Sequence, residues 1–510
     1  MFALTTDVDP NRCRTLGLVG SAVLTAGGLT AGALPVREAF LPSSGRAAVG
    51  LLGAYFGLVL LIAAWWWLGR AVRGPRPPAP RELLVTLGLW ATPLLLGPPL
   101  FSRDVYSYLA QGAMVDAHID VYAHGPAHLG GPLATEVAPV WRHTPAPYGP
   151  VFLAVAEKAA GLARTDLSAA LLGMRLVALL GVGLMIAFLP LLADRCGVDR
   201  SAALWLGALN PLVLLHLVAG AHNDALMIGL LGAGLVAALG GVAKAAPSAR
   251  GAGPVGLSRY APGGWSAGAA VLVTLAALVK APAALGLTAV AALWAARLTG
   301  RAPTLRAAAL TCAVALATTA LVTAVTGTGY GWLNTLSTPV SPDNWSLTSA
   351  LGRLTGALLD TLGGGLGESA VPAWRWFGLL ATVVAVVVLW LRRVRLGPVY
   401  ALALSLLAVF ALGPAFRPWY ALWGLFLIAA AAPDGRVRRW AAVGSGVLAL
   451  GLLPSGSPPD GAQLTLAVGG GLLALLALWW MIQLSGTGAL SSSSRDLSYS
   501  RAASRTRTVS

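Results

Sequence analysis

The sequence predicts an all-α, polytopic membrane protein, and three observations carry that reading. Of its 510 residues, 57% are hydrophobic and only 11% charged, against about 25% charged in an ordinary soluble domain. Apolar runs recur from Leu16 to Leu484 and leave no gap wide enough for a separate water-soluble domain. The formal net charge of +16 is scattered in short clusters between those runs, which suits a bilayer and argues against a nucleic-acid partner. Cys13, Cys196 and Cys312 lack the spacing of a disulfide framework or a metal site. The 32 Arg against 3 Lys, in a chain dominated by Ala, Gly and Leu, fit a GC-rich coding bias and carry no functional signal.

A hydrocarbon core about 30 Å thick takes about 17 to 25 mostly apolar residues, fewer where helices are broken or protein-buried. Thirteen to fourteen spans are expected. Runs 16–34 and 49–68 form two N-terminal spans within residues 1–82, and run 83–101 leads into a long outer loop, 102–170. Within that loop, run 150–163 is short and carries Glu157 and Lys158, so it is expected to lie along the surface as an amphipathic helix. Run 171–192 follows, then 202–219 and 225–243 on either side of the turn AGAHNDAL. Runs 265–279 and 283–296 are two short spans, because Lys280-Ala281-Pro282 in one helix would bury a charge and break the backbone ladder. Run 305–325 precedes a second outer loop, 326–372, and runs 374–391, 398–414, 419–432, 440–454 and 464–484 complete one membrane unit, 1–484. Ala31-Gly32-Ala33 resembles a signal-peptide cleavage site, yet the apolar run is long and its preceding segment is not net basic, so a retained anchor is expected. The Ser/Arg-rich tail, 485–510, is expected to be disordered in the cytosol.

Charge sets the orientation, since short cytoplasmic loops hold the Lys and Arg excess. With the N-terminus inside, 24 of the 35 basic residues but only 7 of the 19 acids fall in cytoplasmic segments, including the clusters Arg70–Arg81, Lys244–Arg259, Arg392–Arg395 and Arg436–Arg439. Both termini are then cytoplasmic.

Polar residues collect in three places on the opposite face. Loop 102–170 holds six of the 19 acids, and helical spacing from Asp104 puts Tyr108 and Gln111 on the same face at i+4 and i+7. The second place is the turn with His222, Asn223 and Asp224. The third combines Lys280, the loop residues Tyr330, Trp332, Asn334, Asp343, Asn344 and Trp345, and the turn FRPWY with Arg417, Trp419 and Tyr420. Each has a structural alternative: Asp104 as an acid favoured by a helix N-terminus, Asn223 and Asp224 as caps, Lys280 and Arg417 as snorkelling cations, Trp419 and Tyr420 as an interfacial belt. Their convergence on one face, in a topology derived without them, favours a site.

An acid, cations and aromatic rings at a membrane face suit a lipid phosphate and a sugar. A Walker loop, a GxGxxG after a strand and a DxD cluster are all absent, so the donor is expected to come from the membrane and not from a cytosolic nucleotide sugar.

The segments SRDVYSYLAQG, DVYAHGP, VWRHTPAPYGPVFL, NPLVLLHLVAGAHNDALM and FRPWY resemble the polyprenol-phosphate-mannose-dependent α-1,6-mannosyltransferases of actinobacterial lipomannan synthesis. These are GT-C glycosyltransferases, and the resemblance runs from about Leu83 to Trp440. It implies a GT-C fold in a bacterial plasma membrane, an extracytoplasmic active site, a polyprenyl-phosphate-mannose donor and a mannan or lipid-linked mannoside acceptor. Membrane lipids are the surrounding partner, and no cofactor or metal is implied. It also implies that the acid of the first large outer loop, here Asp104, is the catalytic base. Candidate phosphate ligands are then Arg103, Arg142, Lys280 and Arg417, with His143 and His222 behind them. Candidate sugar or acceptor contacts are Tyr106, Tyr108, Gln111, Asn223, Asp224, Trp419 and Tyr420. The two spans before the loop depart from the simplest GT-C layout, which has one. Two readings stay open beside this one: a GT-C enzyme using another lipid-linked sugar, and a lipid-linked sugar transporter or flippase.

Overall fold

The computed structural model describes residues 9–161, 166–240, 263–335, 344–363 and 367–505. The basic residues Lys244, Arg250 and Arg259 and the acid Asp343 lie outside the described residues.

Helices α1 (Pro10–Ala31) and α2 (Gly45–Val72) form the first pair. Glycines let their backbones meet: a Cβ on Gly20 would lie 2.8 Å from the Gly57 carbonyl oxygen, and one on Gly57 would lie 2.5 Å from that of Gly20. Close approach of small residues is how apolar helices gain contact where the surroundings are equally apolar. Helix α3 (Pro80–Leu96) follows, then α4 (Asp104–Asp116), α5 (Pro150–Gly161) and α6 (Leu167–Cys196). Helix α7 (Arg200–Gly207) is joined to α2 by a reciprocal clasp, in which Trp65 and Trp205 each donate the indole N–H to the other's carbonyl at 3.0 and 2.8 Å, their rings stacked 5.0 Å apart.

The AGAHNDAL segment is a sharp break. A π-helical stretch, Val213–Ala219, and helix α8 (Asp224–Leu239) meet at 108°, with Ala221 in the left-handed region at φ 52°. Such backbone outliers gather at functional sites. The expected turn at Lys280 is also present. Helix α9 (Gly263–Val279) ends there, a 3-10 turn (Ala281–Leu285) follows, and α10 (Gly286–Ala295) returns. Then come α11 (Pro303–Thr326), α12 (Leu347–Thr361) within the second loop, α13 (Gly367–Leu391), α14 (Pro398–Leu412), α15 (Ala421–Ala431), α16 (Arg436–Ala449) and α17 (Gly461–Arg505).

Every apolar run of the sequence contains helix, but among the described residues five helices are by themselves long and apolar enough to cross a membrane: α2, α6, α11, α13 and α17 up to Leu484. The bent pair through AGAHNDAL makes a sixth if it is one span. The larger number expected from sequence counted runs whose helices are short or interrupted, such as α8, α9 and α14. On α6, Leu172, Leu176 and Leu180 are each about 60% exposed. This outward apolar stripe at i, i+4 spacing is what a lipid-solvated helix presents. Helix α17 continues through Arg505, into the Ser/Arg-rich stretch. No Gly or Pro follows Gly488 within it to stop the helix.

Candidate active site

Helix α4 begins at Asp104, whose backbone N–H donates to Ser102 Oγ at 3.0 Å. Its crossing with α5 is fixed by Gly112, where a Cβ would lie 2.2 Å from the Ala156 carbonyl oxygen. A second close contact, Gly149 on the Leu278 carbonyl, seats Tyr148 beside Lys280. Together these approaches enclose a cavity of about 200 Å³ lined by Asp104, Ser107, Gln111, Trp141, Tyr148, Lys280, Tyr420 and Trp423, among others.

Asp104 is bonded by one indole and approached by one imidazole. Trp141 donates its indole N–H to Oδ1 at 3.2 Å, and His222 Nδ1 lies 3.8 Å from Oδ2. The Asp104 side chain is 15% exposed and that of His222 fully buried. Burial pushes the Asp104 carboxyl above its ordinary range; Arg417 and Lys280 pull it back, and Asp224 pushes it further up. Gln111 Oε1 and Ser107 Oγ are buried without a hydrogen-bond partner, an arrangement that native sites retain where a ligand completes the bonding.

Lys280 Nζ donates to Asp224 Oδ2 at 2.8 Å, and Trp423 donates to Asp224 Oδ1. The ammonium also stands over the Tyr420 ring at 4.6 Å. Arg417 lies 5.5 Å from the Trp141 ring centroid and 5.9 Å from that of Trp419. Among the described residues no carboxylate reaches it within ion-pair distance. Arg417 is thus the cation beside Asp104 that pairs with no carboxylate among the described residues.

The structure brings Asp104, Gln111, Asp224, Lys280, Arg417, Trp419 and Tyr420 together with the His222 turn. Tyr108 turns inward, its hydroxyl 3.1 Å from His222 Nδ1 and 3.5 Å from Asn223 Oδ1, and the His222 and Trp419 rings meet at 4.0 Å, tilted by 32°. Four predicted site residues stand elsewhere. Arg103 donates to the Leu34 carbonyl at 2.6 Å and pairs with Glu136 at 3.1 Å, and Tyr106 donates to the Ala33 carbonyl at 2.7 Å. Arg142 donates to the Val137 and Thr135 carbonyls, each at 3.0 Å. His143 is exposed outside the cavity lining. Consecutive side chains at the start of a helix point apart, so Arg103 fastens the loop while Asp104 faces the cavity. Trp141, Tyr148 and Trp423 were missed as site residues. The first two lie in the VWRHTPAPYGPVFL segment, where their aromatic character was the available signal.

A helical bundle with an apolar exterior, carrying a carboxylate, a cation and aromatic rings in one cavity, suits the class of membrane glycosyltransferases. Residues 14–296 match the family model described as "Alpha-(1->6)-mannopyranosyltransferase, N-terminal domain", and residues 348–482 match "MptB C-terminal domain". The chain belongs to this alpha-(1->6)-mannopyranosyltransferase family. It is 38% identical over 451 residues to a probable alpha-(1->6)-mannopyranosyltransferase of Mycolicibacterium smegmatis, covering 82% of this chain and 78% of the relative. An alpha-(1->6)-mannopyranosyltransferase of Mycobacterium tuberculosis is 37% identical over 465 residues, with the same coverage. Alpha-(1->6)-mannopyranosyltransferase B of Corynebacterium glutamicum is 30% identical over 510 residues, covering 94% and 83%. No solved structure matches the chain.

Proposed function

We propose that the protein is a membrane mannosyltransferase of the GT-C type that moves mannose from polyprenyl-phosphate-mannose to a mannan or lipid-linked mannoside acceptor. It forms α-1,6 linkages at the extracytoplasmic face of the bacterial plasma membrane. Family membership supports mannosyl transfer and the linkage. The observation that supports the mechanism is Asp104 in the cavity wall, bonded by Trp141 whose ring lies 5.5 Å from Arg417, a guanidinium with no ion-pair partner among the described residues.

In this reading Asp104 accepts the proton of the acceptor 6-hydroxyl while that oxygen attacks C1 of the β-linked mannosyl phosphate. The new O6–C1 bond forms as the C1–O phosphate bond breaks, and inversion at C1 gives the α linkage. The leaving polyprenyl phosphate gains one negative charge on passing from diester to monoester. Arg417 meets that charge with Lys280 behind it. Trp141, Tyr148 and Tyr420 offer ring faces to the sugar, and Gln111 and Ser107 offer polar atoms to its hydroxyls.

The test presents the purified protein, in lipid, with polyprenyl-phosphate-mannose, another polyprenyl-linked sugar and a mannose nucleotide, each with a short α-1,6-mannoside. Transfer from the first alone, giving an α-1,6 product, is expected. Transfer from the nucleotide sugar would contradict the donor assignment, and transfer from the other lipid-linked sugar would reassign it.

A further inference from the structure

A second and larger cavity, about 450 Å³, lies across the start of α4 from the first. Arg103 lines the large cavity and Asp104, the next residue in the chain, lines the small one. The N-terminal pair builds one side, through the end of α1, the segment that follows it with Phe40, and the start of α2. The turn between α16 and α17 builds the other, through Leu453, Ser457, Asp460 and Gln463. That turn is sewn to the approach to α4. Phe101 donates its backbone N–H to the Pro454 carbonyl at 2.7 Å, and a Cβ on Gly456 would lie 2.8 Å from Ser102 Cα. Tyr55 of α2 donates to the Leu452 carbonyl at 3.0 Å.

The chemistry of the two cavities differs. Near the small one stands Arg417, a guanidinium with no ion-pair partner among the described residues, as a phosphate requires. In the large one, among the described residues, the lining cation is Arg103, neutralised by Glu136, and the lining carboxylate is Asp460. Asp460 Oδ1 caps α17 by accepting from the Gln463 N–H at 2.7 Å, and Gln463 Oε1 accepts from the Asp460 N–H at 3.0 Å. Asp460 and Gln463 line the cavity together with Ser457 and Phe40, beside apolar residues such as Leu34, Leu51, Leu453 and Leu466. Arg46 lies 5.9 Å from the Phe40 ring centroid, outside the lining. A carboxylate, an amide, a hydroxyl and an aromatic face repel phosphate and match an uncharged polyhydroxyl chain.

We propose that this cavity is an acceptor subsite. It holds the sugar units of an α-1,6-mannoside beyond the one whose 6-hydroxyl is presented to Asp104, and it gives the N-terminal helix pair a function. The proposal rests on the transferase reading above. It makes the enzyme favour longer acceptors over a single mannoside.

The experiment compares octyl mannoside with α-1,6-mannotetraose as acceptors for wild type, Phe40→Ala and Asp460→Asn, the last because Asn keeps the helix cap. Binding of radiolabelled mannotetraose to non-transferring Asp104→Asn protein, with and without those changes, is measured beside it. The expected result is a KM for the tetraose raised about tenfold in each variant, an unchanged KM for octyl mannoside, and a matching loss of tetraose binding. Equal effects on both acceptors, or tetraose binding untouched by the substitutions, would overturn the subsite. A protein that transfers no mannose yet binds tetraose through Phe40 and Asp460 would overturn the transferase reading and leave the subsite standing.

Discussion

The Trp141 indole donates to Asp104 Oδ1 at 3.2 Å, so a residue of the loop's distal part aims the carboxylate at the head of α4. Removing this donor while keeping an aromatic ring isolates its effect. Trp141→Phe is expected to lower kcat about tenfold, the value of one hydrogen bond to a charged group, with thermal unfolding unchanged. A kcat within twofold of wild type would mean that the contact has no part in orienting the base.

Two arginines flank the same helix start and do opposite things. Arg103→Ala removes hydrogen bonds to the Leu34 and Glu136 carbonyls and the ion pair with Glu136, and should cost about 1.5–3 kcal/mol of stability with little change in donor KM. Arg417→Ala should leave stability nearly intact and raise donor KM about 10- to 100-fold. Unfolding temperatures and donor titrations of both variants decide it, and the reverse pattern would reassign the phosphate ligand.

The Asp104 carboxyl must be ionised to accept a proton, and burial raises it above 3.8. Activity is therefore expected to fall as pH drops through an acid limb lying above that of an ordinary carboxylate. The charged groups acting on it are Arg417, Lys280 and Asp224, with His222 at 3.8 Å. Since Arg417 holds the carboxyl down, Arg417→Ala should move the acid limb of kcat/KM to higher pH. A shift to lower pH would contradict the placement of that charge.

Lys280 and Asp224 form a buried pair, and unpairing one side leaves a charge stranded. Asp224→Asn should destabilise the protein by about 3–5 kcal/mol, read by unfolding in detergent. The double change Lys280→Met with Asp224→Leu should recover much of that stability while remaining impaired in transfer.

Much of this site was legible in the sequence, for identifiable reasons. Asp104 and Gln111 share a helix face at i+7, and Pro282 marks a chain break that places Lys280 at a turn. The HND turn announces itself as three polar residues between apolar helices. What spacing cannot convey is where a long side chain goes. Arg103, Arg142 and Arg417 look equivalent, yet the first two are held by backbone carbonyls, including Leu34 far away in the chain, and those acceptors leave no trace in residue type. Trp423 sits inside the apolar helix α15, so nothing distinguished it from a core residue until its N–H was seen on Asp224. Thirteen to fourteen crossings were expected where five described helices reach that length and composition by themselves, because a run of apolar residues fixes burial, while the bend at Ala221 depends on local backbone geometry.

The most direct measurement is mannose transfer from radiolabelled polyprenyl-phosphate-mannose to a short α-1,6-mannoside by wild type and Asp104→Asn, with linkage analysis of the product. An α-1,6 product from wild type, and a rate at least about 100-fold lower in a folded Asp104→Asn protein, is the expected result. Transfer by Asp104→Asn at the wild-type rate would contradict the assignment of Asp104 as the base.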